Sequence, residues 1–225
     1  MPSGKRRKRG IINGILLLAL FLAMVAVVTM FFQRRIPAEN DHIAVGVIEL
    51  TKENYKEEVT RYAGEFKLPS SYLMALIILE SSGRKIIPPR FEPQVYKRLK
   101  EVKMGERVSF EHVMPEHLAD ASDEALKNLA SSWGPYQLMG YKCLLLGIKI
   151  RDIRGKDAIY WGTKWIDITY GNELRAGNYR DAFHIHNTGR RYPIFGKPFT
   201  HDPEYVNRGI SYMKQFENNE PAGDQ

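Results

Sequence analysis

Glu80 carries the clearest chemical potential in this sequence. It follows an unbroken apolar block, Leu73-Met74-Ala75-Leu76-Ile77-Ile78-Leu79. Such a block predicts a helix buried nearly all round. A carboxyl group at the C-terminal end of that helix meets two effects of the same sign. Apolar surroundings disfavour the charged form, and so does the negative end of the helix dipole. A glutamic acid raised from about 4.3 toward 6 is able to act as a general acid near neutral pH. The competing reading is a carboxylate that emerges into solvent, or that pairs with Arg84 or Lys85.

Other reactive side chains support less. His184 and His186, with His201-Asp202 downstream, have the residue types of a zinc site. On a helix, however, positions i and i+2 point in different directions, and no His-Glu-x-x-His occurs. The expectation is no metal and no cofactor. Cys143 is the one cysteine, and it precedes Leu144-Leu145-Leu146. It predicts a buried thiol and excludes an intramolecular disulfide. His112 and His117 lie in an acidic stretch and are expected at the surface.

These residues need elements to position them, and the chain reads as mainly α. Residues 51–66 are helical in pattern, with Tyr55, Val59, Tyr62, Ala63 and Phe66 on one face. Leu68-Pro69 interrupts, Ser70 has the character of an N-cap, and the Glu80 helix runs from Tyr72 to Ser82, ended by Gly83. Further helices are expected over 92–103, 123–130, 135–146 (with Pro135 in its first turn), 157–170, 179–186 and 203–216. No sustained period-2 alternation announces a sheet.

Composition is that of a folded protein, with 44% hydrophobic and 26% charged residues. The net charge of +7 is localised: residues 1–35 hold seven basic residues and no acid, which leaves the rest formally neutral. A basic face for nucleic acid is therefore not expected. Ile11 to Phe32 carries no charge and is long enough for a membrane span, which needs about 20 apolar residues. Lys5, Arg6, Arg7, Lys8 and Arg9 precede it and Arg34-Arg35 follow. By the positive-inside rule, residues 1–10 are a cytoplasmic tail and 11–32 a single transmembrane helix. A cleaved signal peptide would have a shorter apolar region and an A-x-A-like site, which is not found. The expected organisation is completed by a linker over 33–50, a catalytic-type domain over 51–217 and a frayed tail over 218–225.

Three motifs occur in a fixed order. Glu80-Ser81-Ser82-Gly83 closes the apolar helix. Ser131-Ser132-Trp133-Gly134-Pro135-Tyr136-Gln137-Leu138-Met139-Gly140 follows, and then His186-Asn187-Thr188-Gly189. This order resembles the lysozyme-like lytic transglycosylase (SLT) and N-acetylmuramidase superfamily. Phe91-Glu92-Pro93-Gln94 is similar to a stretch of the phage muramidases, with Gln94 where they have His. The resemblance spans about residues 55–216. It implies a lysozyme-like helical domain with Glu80 as the acid/base. Gln137 and Met139 match groups lining the cleft, Asn187 a residue of its far wall, and Ser81 a support for the Glu. His186 stands where the transglycosylases have a Tyr that hydrogen-bonds the Glu. Trp133 and Tyr136, flanking Gln137, are candidates to stack on sugar rings, whereas Trp161 and Trp165 fit a core. The long separation of Glu80 from Gln137 marks an insert, about residues 88–128, expected to build part of the cleft. Arg190, Arg191 and Lys197 fit either acidic stem peptides or a solvated loop.

The implied activity is cleavage of the β-1,4 bond between N-acetylmuramic acid and N-acetylglucosamine in peptidoglycan, outside the cytoplasmic membrane. A lytic transglycosylase needs one carboxyl. A hydrolytic muramidase uses a second, at roughly 5–5.5 Å or 6.5–9.5 Å according to route. Glu92 is the first candidate for that role, with Glu111, Glu116 and Asp120 behind it. The competing account of Glu92 is a helix N-terminal carboxylate paired with Arg90. A non-catalytic wall-binding module, and an adaptor acting through its membrane helix, remain as alternatives from other classes. Protein partners are not legible.

Overall fold

A computed structural model describes residues 46–218. The expected cytoplasmic tail, the transmembrane span over 11–32 and most of the linker lie outside the described residues, as does the tail from 219. Among the described residues, no helix is long and apolar enough to cross a membrane.

The helix that carries Glu80, α2 (Ser70–Ser81), organises the domain. Tyr72 to Ile77 are buried on every side of it, because Leu, Ile, Met and Ala occupy all its faces. Pro69, not Ser70, is its N-cap residue, and no side chain caps it. Ser82 takes the left-handed C-cap conformation at φ 53°, one residue before the expected Gly83, which is itself at φ 70°. Around α2 lie a helix α1 over 46–66, α8 (Ala158–Arg175), α9 (Tyr179–Thr188) and α10 (Tyr205–Asn218). Their apolar faces form one core with α2. Residues 46–50, expected as linker, are the first turn of α1, where Ile48 is buried and draws the helix onto the core.

The segment between α2 and α8 builds a second, smaller core. It contains β1 (Arg90–Phe91), α3 (Pro93–Lys103), α4 (Pro115–Leu118), α5 (Asp123–Leu129), β2 (Ser131–Trp133), β3 (Leu138–Met139), α6 (Lys142–Leu146) and α7 (Ile150–Arg154). Leu99, Val102, Leu118 and Leu126 close together there. The expected helix over 135–146 is therefore incorrect in its first half. Gly134 to Gln137 is a β-turn, closed by Gln137 N–H donating to the Gly134 carbonyl at 3.0 Å. Pro135 occupies the second turn position, where its fixed φ serves a turn as well as it serves a helix start. Gly134 (φ 71°) and Gln137 (φ 47°) both take left-handed conformations that no helix contains.

The sheet is antiparallel with order β1-β2-β3. Arg90 pairs with Ser132, and Ser132 with Met139, so these three form one cross-strand row. Alternation sends Ser131 and Trp133 to the other face. Three two- or three-residue strands are too short to show a period-2 pattern, which is why the sequence does not announce them.

Gly134 is the position least tolerant of a side chain. A Cβ there would overlap the Ile153 carbonyl, and its φ is positive. Gly134→Ala is expected to destabilise the fold by about 2–4 kcal/mol, from left-handed strain plus overpacking. A urea-unfolding midpoint unchanged from wild type would contradict this.

Candidate active site

Glu80 opens into a cavity of about 600 Å³, a size that holds part of an oligosaccharide or a drug-sized ligand. Its side chain is 17% exposed. Burial pushes its carboxyl above the ordinary range. That effect outweighs the hydrogen bond from Tyr205 and the nearby charges of Arg90 and Lys142, which favour the carboxylate.

Tyr205 is the closest partner of Glu80: its hydroxyl donates to Glu80 Oε1. It reaches there because α10 packs along α2, the helix that carries Glu80, and also lies against α9. Gly209, one turn after Tyr205, leaves room for the Phe183 ring, whose atoms would sit 2.8 Å from any Cβ at that position. Asn187 interacts with the same Tyr205 hydroxyl.

His186 does not take over the role of the transglycosylase Tyr by direct hydrogen bonding. Its Nε2 is 3.8 Å from Glu80 Oε1 and 3.2 Å from the carbonyl oxygen of Tyr136. A carbonyl only accepts, so Nε2 carries the proton. Nδ1 then accepts from the Tyr170 hydroxyl at 2.7 Å. Burial, with Lys142 nearby, pushes His186 down to about 3, so the ring is neutral at any physiological pH. Tyr170 also receives a hydrogen bond from Tyr72 of α2 at 3.4 Å. Tyr170 stands at a non-helical kink inside α8 (φ −147°, ψ 21°).

The sheet row supplies the opposite wall, with Arg90, Ser132 and Met139 all lining the cavity. Gln137 lines it as well. Its amide is oriented by Ser132 Oγ–H donating to Oε1 (2.8 Å) and by Nε2–H donating to the Gly134 carbonyl (3.0 Å). Glu111 and His112 enter from a two-residue turn between Phe110 and Val113, and both have positive φ (48° and 65°). Holding non-glycine residues there costs about 1 kcal/mol or more each. His112 is thus exposed but part of the cleft.

Glu80, Gln137, Met139, His186 and Asn187 meet around one cavity. Four other expected residues do not join them. Trp133 packs with Leu138, Cys143 and Ile153 in a separate small apolar cluster, and its Nε1–H donates to the Asn128 carbonyl. The side chain of Tyr136 is buried against Gly162 with its hydroxyl near Thr163, and only its carbonyl serves the site, through His186. Ser81 is buried and back-bonds to the Ile77 carbonyl at 2.9 Å. Glu92 is the N-cap residue of α3 and pairs with the largely exposed Arg90 at 2.8 Å, outside the cavity lining.

Tyr205, Lys142 and Arg90, which no motif marks, line or shape the site, and Trp165, expected in the core, lines the cavity as well. Tyr205 lies far from the other motifs in sequence, and no local pattern marks it. His184 uses both ring nitrogens internally, accepting from the Phe199 N–H and donating to the Arg190 carbonyl. No family model matches the chain, and no curated protein or solved structure matches it significantly.

The raised carboxyl has a consequence for stability. A group with a folded-state pKa above its unfolded value contributes stability that is complete below the unfolded pKa, about 4.3. That contribution is lost as pH rises through the folded pKa. Glu80→Gln removes this loss. The variant should melt about 2–4 °C above wild type at pH 8, with the gap closing toward pH 4. Equal melting temperatures at both pH values would contradict a Glu80 carboxyl raised by burial.

Proposed function

We propose that the domain is a peptidoglycan-cleaving enzyme of lytic-transglycosylase type, with Glu80 as its single acid/base. We propose also that residues 11–32 anchor it in the cytoplasmic membrane with the catalytic domain outside. The observation that carries the catalytic reading is a carboxyl raised by burial at the end of a buried helix, opening into a cleft of oligosaccharide size.

The chemistry follows from that state. The Glu80 proton passes to the glycosidic oxygen as the C1–O bond breaks, and the N-acetylglucosamine hydroxyl departs. Positive charge develops at C1 of the muramoyl sugar. The resulting carboxylate then takes the proton of the same sugar's 6-hydroxyl, whose oxygen bonds to C1. Water is not consumed, and Glu80 ends protonated. Holding the sugar gives the internal hydroxyl a large effective molarity over bulk water. The Tyr205 hydroxyl stabilises Glu80 in the charged half of this cycle.

A second reading, hydrolysis, is favoured by one observation. Glu111 lines the same cavity from a turn with two positive-φ residues, so a second carboxylate is present. It replaces Glu92 as the candidate to activate water. Product chemistry separates the two. Full-length chain incubated with purified peptidoglycan should release anhydromuropeptides, detected by mass spectrometry, and Glu80→Gln should reduce them by at least 10²-fold. Reducing ends dependent on both Glu80 and Glu111 would establish hydrolysis instead. Full activity in Glu80→Gln would exclude either mechanism.

Tyr205→Phe supplies a signed test. Loss of the hydrogen bond removes a contact that favours the carboxylate, so the Glu80 carboxyl rises further. The alkaline limb of the kcat/KM profile should move to higher pH, with a roughly tenfold slower maximum. A limb that stays in place or moves to lower pH would mean that the hydroxyl does not favour the Glu80 carboxylate.

A further inference from the structure

Lys142 is a cation of the cleft whose one close partner among the described residues is an aromatic face and not a carboxylate. It is the first residue of α6, and its side chain reaches into the cavity that holds Glu80. Its Nζ lies 4.9 Å from the Trp165 ring centroid. Among the described residues it takes part in none of the ion pairs and none of the side-chain hydrogen bonds. The carboxylates that act on it, Glu111 and Glu80, do so at a distance, and burial prevails, lowering Lys142 to about 8. It is therefore still mostly charged at neutral pH. An ammonium group withdrawn from water without a carboxylate or hydrogen-bond acceptor is costly, and the Trp165 face offsets only part of that cost. A methionine would cover Trp165 without that cost. The cation has a reason to stand there when the occupant of the cleft brings an anion.

We propose that Lys142 forms a carboxylate-recognition subsite beside Glu80, which makes the cleft selective for carboxylate-bearing glycan over neutral glycan. This rests on the peptidoglycan reading above and names the part of the substrate that the cleft reads. Arg90 lies on the same cavity and adds to the positive field, but it is already engaged by Glu92. Glu111 lines the same cavity and acts on Lys142 more strongly than Glu80 does, so a substrate carboxylate meets both signs of charge and its position within the cleft decides the outcome.

Two sources carry the required group. The lactyl ether of muramic acid ends in a free carboxylate where the stem peptide has been removed. Where the peptide remains, the lactyl group is an amide, and the carboxylates belong to the peptide. The subsite shares one cavity with the acid/base, so both sources come from the muramoyl unit bound there.

The test measures binding of full-length chain by calorimetry. The probes are peptide-free glycan strands, the same strands with the lactyl carboxyl converted to a primary amide, and peptide-bearing strands. Wild type should bind the peptide-free strands about tenfold more tightly than the amidated ones. Lys142→Met should erase that difference, and Lys142→Arg, which keeps the charge, should retain most of it. Preference confined to peptide-bearing strands, and lost in Lys142→Met, would support the subsite and assign the carboxylate to the peptide. Discrimination retained in Lys142→Met, or absent in wild type that still cleaves peptidoglycan, would overturn the subsite alone. Wild type that neither binds nor cleaves any of the three would overturn the peptidoglycan reading together with it. Circular dichroism melts of both variants separate a lost subsite from a lost fold.

Discussion

Ionising a carboxyl group at the end of a helix with no polar face is costly, and the arrangement around Glu80 is a response to that cost. α2 is buried because Leu73 to Ile78 leave it no side suited to water. Glu80 is the point where this apolar element meets the cleft. Desolvation holds the proton on, while the Tyr205 hydroxyl keeps the charged form accessible. A general acid that must also act as a base needs both influences. The proposed cycle requires an ionisation that is accessible during turnover and reversed at its end.

The surrounding polar groups are arranged so that none of them competes for that proton. His186, the imidazole that faces Glu80, is bound on both ring nitrogens and held neutral. Tyr72, Tyr170 and His186 form a chain of hydrogen bonds ending on the Tyr136 carbonyl, so the site is joined to α2 and to the hairpin turn. Two glycines allow the close approaches. Gly162 accepts the Tyr136 ring on α8, and Gly209 accepts Phe183 between α9 and α10. The core thereby sets the distance from Tyr205 to Glu80.

What was legible in the sequence was what local signals encode. An apolar block ending in Glu is visible as such, and the helices over α2, α3, α5, α8, α9 and α10 emerge from period and boundary residues within a few positions. Gln137, Met139 and Asn187 were found by their order, and they do meet at one cavity. Tyr205 was not found, because its partner lies across the chain and its own surroundings are an ordinary amphipathic helix. Lys142 was hidden by position: only the turn from β3 into α6 aims it at the cleft. Trp133 and Tyr136 were placed in the cleft because they flank Gln137. Strand alternation sends Trp133 to the opposite face, and the turn buries Tyr136. Pro135 is ambiguous by nature, since a fixed φ suits both a helix start and a β-turn.

Direct titration of the Glu80 side chain tests the central claim most closely. Carbon-13 NMR of the glutamate carboxyl carbons, assigned by comparison with Glu80→Gln, follows this one group through pH. The account predicts a midpoint above the ordinary glutamate value of about 4.3, and a further rise in Tyr205→Phe. A midpoint at or below that value would mean that Glu80 is ionised at neutral pH, and would remove the proton on which the proposed chemistry depends.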